Sequence, residues 1–291
     1  MAECSVVARG LCVAILVSLL VAMMGLTAVK NAVAGEDRNM NMEQVAAEQW
    51  NRMAKKTIFF GHQSVGYNIL DGVKRVMEQN PLVNLKIVKL ANPGDMGPSA
   101  KGVLFHAEVG KNFNPRSKID AFAEWMDKGV GDNVDIAFLK FCFVDIGTQT
   151  NIEELFEYYR KTLAGLKEKF PSTTFVHFTV PLLAEQVGFA KWKHRLKGIV
   201  KKILGKNEFY ENVNKFVFNE MIRSEYRGKE PVFDLAAVES TFPDGSRSTF
   251  AVSGKQIESM VPAYTNDGGH LDPQGQDIVA RKLLAFLATL E

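Results

Sequence analysis

Thr57-Ile58-Phe59-Phe60-Gly61-His62-Gln63-Ser64-Val65-Gly66 runs from four strand-favouring residues into a glycine-bounded turn, and a helical pattern follows from Tyr67 to Gln79. A strand that ends in Gly-x-x-Ser-x-Gly and opens a helix can hold a serine hydroxyl at the carboxyl edge of a sheet. There the helix N-terminus favours developing negative charge. By itself the turn reads equally well as a Gly-rich connection whose Ser64 caps the helix.

The same alternation continues along the chain. Asn80-Pro81 stops the first helix, and Val83 to Leu90 alternates as a strand before the loop Ala91 to Pro98. Residues 99–116 show no sustained period and read as a long surface loop carrying His106, a candidate substrate contact. Ile119 to Lys128 follows as a helix. Val134 to Phe143 is a nearly continuous apolar run, as in a strand buried on both faces of a parallel sheet. Thr150 or Asn151 caps a helix from Ile152 to Phe170, and Thr173 to Val180 is a strand. Phe209 to Tyr226 is helical, Pro231 to Leu235 is a short strand, and residues 240–266 form a long polar segment. Pro273 starts a last helix over Gln274 to Leu290. The pattern is α/β: one doubly wound parallel sheet of about five strands with helices on both faces.

The 291 residues suffice for one such domain and a sizeable core, and the net charge of +2 points away from nucleic acid as a partner. Residues 1–34 read as a signal peptide or an uncleaved N-terminal anchor. Arg9 precedes an apolar run from Leu11 to Val29, and Ala32-Val33-Ala34 closes it. The chain is therefore expected to be exported, to a periplasmic or secreted location. Residues 35–55 lead in with a short amphipathic helix, and 56–291 form the main domain. Cleavage after Ala34 removes Cys4 and Cys12 and leaves Cys142, in an apolar run, as a buried small hydrophobe. A basic helical insertion lies near 186–207, with no acid between Glu185 and Glu208. It reads as a solvated helix packing an apolar stripe, or as a contact for a membrane surface or polyanion.

Ligands bind at the carboxyl ends of strands in such sheets, and three groups fall there: Ser64, Asp145, and the loop Asp267-Gly268-Gly269-His270. A hydroxyl nucleophile needs a base, and the base needs an orienting carboxylate. Asp267 and His270, three apart, allow one loop to deliver both. Asp234 is the second candidate for the acid, with a structural loop-capping role as its plainer reading. His177 lies within a strand and reads as structural, and His194 belongs to the basic helix. No spacing suits a metal, and no Gly-x-Gly-x-x-Gly or phosphate-loop motif is present, so neither metal nor cofactor is expected.

Gly61-His62-Gln63-Ser64 near the expected mature N-terminus and Asp267-Gly268-Gly269-His270-Leu271 near the C-terminus resemble the SGNH (GDSL-like) hydrolase superfamily over roughly residues 56–290. The resemblance implies a flavodoxin-like three-layer α/β/α sandwich, with Ser64 as nucleophile, His270 as general base then acid, and Asp267 as orienter. It implies oxyanion donors from the Ser64 N–H and from a glycine after the second strand, with Gly94 and Gly97 both qualifying. Two departures stand out. Gln63, preceded by His62, replaces the family's acid before the serine. Cys142-Phe143-Val144-Asp145 replaces Gly-x-Asn-Asp, so Val144 stands where the family has a third donor. His62 and Gln63 are candidates to replace that donor, and Asp145 is a candidate loop anchor. The expected activity is hydrolysis of small-molecule or carbohydrate esters through an acyl-serine intermediate. A glycan- or lipid-binding member without catalysis, and an envelope acyltransferase, are the alternatives.

Overall fold

The computed structural model describes residues 41–97, 101–184 and 211–291. The leader-like residues 1–34 and the basic segment 186–207, with His194, lie outside the described residues. All of the described residues belong to one compact unit.

Strand β1 (Thr57–His62) is buried along its whole length. Its alternation splits the core in two. Ile58 and Phe60 join one apolar cluster and Phe59 joins the other. Around it lie β2 (Lys86–Lys89), β3 (Val103–Glu108), β4 (Ile136–Leu139), β5 (Thr174–Phe178) and β6 (Val232–Phe233). They form one sheet in the order β2-β3-β1-β4-β5-β6, every pair parallel. The sheet thus has six strands where about five were expected. The added strand is β3, inside the segment read as a loop. His106 sits in that strand at 6% exposure, so it is buried rather than presented to substrate.

One face carries α2 (Ser64–Gln79), after the lead-in helix α1 (Ala47–Met53), and the last helix α7 (Pro273–Thr289). The other carries α3 (Pro115–Trp125), α4 (Ile152–Lys169) and α5 (Glu211–Tyr226). This is a three-layer α/β/α sandwich. Aromatic rings bind the strands on the α2/α7 side: Phe60, Phe138, Phe178 and Phe233 stand one per strand with successive centroids 4.8, 4.8 and 4.9 Å apart. Caps follow the sequence closely. Asn151 accepts from the Glu154 N–H and Asp272 from the Gly275 N–H. The polar segment 240–266 contains an antiparallel pair, β7 (Thr249–Val252) and β8 (Lys255–Glu258).

Asp234, the alternative acid, caps the short helix α6 (Leu235–Glu239) through the Ala237 N–H. Its carboxylate also receives Arg223 at 2.7 and 2.9 Å and Arg227 at 2.6 Å. Arg223 bonds Glu258 as well, at 2.8 Å, tying α5 to β8. Committed to two guanidinium groups, Asp234 belongs to the frame.

Strand order fixes where a ligand can enter. From β1 the chain moves outward to β2 and β3, then crosses back over β1 to β4. The reversal opens a crevice at the carboxyl ends of β1 and β4. The chain leaving β1 there is Gln63-Ser64.

Candidate active site

Gln63 has extended backbone (φ −135°, ψ −154°), and Ser64 is the first residue of α2. The first N–H groups of a helix have no intrahelical partner, so the Ser64 N–H lies beside its own hydroxyl as a donor at the positive end of the helix dipole. The turn is tight. A Cβ on Gly66 would lie 2.1 Å from His62 Cγ, so only glycine lets the helix sit on that ring.

The partner loop arrives from the far end of the chain. Gly268 adopts φ +93°, a left-handed conformation that glycine takes without strain. Asp267 Oδ1 accepts from the Gly269 N–H (2.9 Å) and the His270 N–H (2.8 Å), which fixes the carboxylate. Asp267 Oδ2 lies 2.7 Å from His270 Nδ1. Because a carboxylate only accepts, Nδ1 carries the proton. Nε2 is then the acceptor, 3.1 Å from Ser64 Oγ. The loop is anchored beyond β5 by the Ala184 N–H, 2.8 Å from the Gly268 carbonyl. Phe143 stands edge-on to His270 with centroids 5.1 Å apart. Burial pushes the Asp267 carboxyl up, but the Gly269 and His270 N–H groups and the His270 ring outweigh it and bring it down to about 2. The carboxylate therefore stays charged as the ring's partner.

The other predicted residues fall differently. The His62 ring is fully buried. It donates from Nδ1 to the Gln63 carbonyl (2.8 Å) and accepts at Nε2 from His106 Nδ1 (2.9 Å). Burial lowers His62 to about 3 and His106 to about 4, so both stay neutral. With both His62 nitrogens engaged, it cannot donate to an oxyanion. Gln63 Nε2 donates to the carbonyls of Val109 (3.1 Å) and Gly110 (2.9 Å), so it is likewise committed. Asp145 is buried. Oδ2 accepts from the Cys142 N–H (2.6 Å) and buried Lys118 Nζ (2.5 Å), and Oδ1 accepts from the Phe113 N–H (3.1 Å). It ties the loop after β4 to Lys118 and to the loop at Phe113. Val144 packs against the α2/α7 core. Gly94 and Gly97 are exposed after β2, which is two strand spacings, about 10 Å, from β1. The strand beside β1 on that side is β3, whose following loop starts at Val109-Gly110.

Sequence reasoning missed Cys142 as a neighbour of the serine. It is fully buried, with Sγ 3.6 Å from Ser64 Oγ. Burial raises its thiol pKa, but the buried ammoniums of Lys140 and Lys118 and the Val65 N–H lower it more, for a net downward shift. Among the described residues no group of three or more His, Cys, Asp or Glu side chains is arranged to hold a metal ion.

No family model matches the sequence, and no curated protein matches it. Solved structures similar to the chain include a Streptococcus pneumonia protein provisionally described as a platelet activating factor (14% identity, 91% of this chain and 99% of that one, TM-score 0.48). Another is a Bacteroides fragilis protein provisionally described as an acylhydrolase (14% identity, 81% and 91%, TM-score 0.43). A third is the periplasmic domain of a lipopolysaccharide acetyltransferase from Salmonella ser. Paratyphi A (13% identity, 79% and 83%, TM-score 0.44).

Proposed function

We propose that this chain is a serine esterase of the SGNH type. The observation that carries the reading is the continuous relay from Ser64 Oγ to His270 Nε2 (3.1 Å) and from His270 Nδ1 to Asp267 Oδ2 (2.7 Å), at the switch point of a parallel sheet. His270 takes the Ser64 proton as Oγ attacks the acyl carbon. Asp267 stabilises the imidazolium that forms. The Ser64 N–H and the α2 N-terminus receive the developing oxyanion. His270 then protonates the departing alkoxide, and water repeats the sequence to free the acid and regenerate Ser64.

The leader-like residues 1–34 favour action outside the cytoplasm. Acyl groups on envelope carbohydrate are the substrate class that fits such a location. The reading is tested with a fluorophosphonate probe and p-nitrophenyl acetate. Wild-type protein should label at Ser64 and release acid. Ser64→Ala should do neither while melting at the wild-type temperature. Retained turnover in Ser64→Ala, or a folded wild type inert to both reagents, would remove Ser64 from the chemistry.

A further inference from the structure

We propose that Phe113 is the acyl-side specificity residue of the esterase site, so that the enzyme prefers esters whose acyl chain extends beyond acetyl. This rests on the esterase reading above.

Phe113 combines two features a fold ordinarily avoids. Its φ is +64°, a left-handed conformation that glycine or asparagine adopts far more readily, and the residue is 77% exposed. So exposed a residue contributes little packing, and the turn it occupies would be better served by glycine. The conformation is nevertheless held firmly from inside. The Phe113 N–H donates to Asp145 Oδ1 at 3.1 Å, and Lys118 Nζ bonds both Asp145 Oδ2 (2.5 Å) and Asn112 Oδ1 (2.9 Å). The Lys118 and Asp145 side chains are each 0% exposed. A fully buried ion pair thus fixes two consecutive residues of an exposed loop. Strain retained under such constraint points to a function for the residue that carries it.

Its position says which function. The loop leaves β3 level with the end of β1: the Val109 N–H bonds the His62 carbonyl at 2.9 Å, and Gln63 holds the Val109 and Gly110 carbonyls. It then reaches Asp145, on the loop after β4. Asp145 Oδ2 also accepts from the Cys142 N–H at 2.6 Å, and Cys142 Sγ lies 3.6 Å from Ser64 Oγ, so the loop carrying Phe113 is tied through Asp145 to the residue beside the serine. His270 comes from the opposite flank, through a loop bonded to Ala184 beyond β5. A leaving alkoxide takes its proton from His270 and so departs on the β5 side. The acyl substituent is directed to the other side of Ser64, toward the β3 loop and the Phe113 ring. An exposed phenyl group without a polar atom suits an alkyl chain.

The test uses the full chain with p-nitrophenyl acetate, butyrate and octanoate, and with short- and long-alkyl fluorophosphonates. Phe113→Ala should lower kcat/KM for octanoate about tenfold while keeping acetate within about threefold, the loss expected when an apolar contact is removed. The long-alkyl probe should lose its rate advantage in parallel. Phe113→Gly should show the same loss yet melt at or above the wild-type temperature, because glycine relieves the positive φ. An unchanged chain-length profile in both variants overturns the proposal. So does a clear drop in the melting temperature of Phe113→Gly, which would make the ring a packing residue. Discrimination that follows the alcohol rather than the acyl group also overturns it, while leaving the esterase reading standing. A wild type inert to every ester and probe removes the esterase reading and this inference with it.

Discussion

Asp267 owes its role to local bonds. Two backbone N–H groups and the His270 ring hold its carboxyl at about 2 against the upward pull of burial. An amide in its place would lose the charge that stabilises an imidazolium and could present its NH2 to Nδ1, inverting the tautomer. Asp267→Asn should therefore cut turnover by about a hundredfold or more while Ser64 labelling slows in step. Asp234→Asn should leave turnover near wild type and lower the melting temperature, because Asp234 is bound to Arg223 and Arg227. If Asp234→Asn damages turnover more than Asp267→Asn, the acid is misassigned. Asp267 and His270 were legible in the sequence because three residues and two glycines define their geometry locally. Cys142 was not. Its approach to Ser64 depends on the register of β4 against β1, with Ile58 opposite Ile136, and no local pattern encodes that pairing.

At the level of elements, α2 is held to its neighbours at two glycines. At Gly72 a Cβ would lie 2.3 Å from the Gln276 carbonyl on α7, a backbone atom that cannot yield without moving the helix. Gly72→Ala should cost about 1–3 kcal/mol in urea denaturation, as overpacking does elsewhere. At Gly66 the obstacle is the His62 ring, which is itself locked to the Gln63 carbonyl and His106. Gly66→Ala should therefore be destabilising and should also slow Ser64 labelling, whereas Gly72→Ala should leave labelling of the folded fraction largely unchanged. Equal effects of the two on labelling would show that the whole helix, rather than its first turn, sets the position of Ser64. The helices and most strands could be read from period and caps. Strand β3 could not, because Val103–Glu108 is buried too evenly to alternate and carries His106 in its interior. The flanking residues 99–116 show no sustained period, and the partner that seats His106 in the strand, His62, lies 44 residues away. The same hidden strand separates β2, and Gly94 and Gly97 after it, from β1.

Across the whole molecule, buried titratable groups set opposing limits on stability. His62 and His106 have pKa values of about 3 and 4 in the fold, against 6.5 unfolded. Below pH 6.5 the unfolded chain binds protons that the folded chain refuses, so stability falls as the pH drops toward 4. Glu239 acts in the other direction. Its side chain is fully buried, with Oε2 accepting from the Leu182 N–H and no partner at Oε1. Burial raises it from 4.5 to about 8, only partly opposed by that bond and by Lys140. Between pH 4.5 and 8 the folded chain keeps a proton that the unfolded chain has released, so this contribution is lost as the pH rises. One proton corresponds to a slope of at most about 1.4 kcal/mol per pH unit. Glu239→Gln isolates one limb: the amide oxygen still accepts from Leu182, but nothing ionises. Its melting temperature relative to wild type should rise steadily from pH 5 to pH 8, while the acid limb, set by the histidines, stays where it was. A difference that is constant across that range would mean that Glu239 is already ionised in the fold at pH 5. Glu239 would then face Lys140 as a buried carboxylate rather than as a neutral acid.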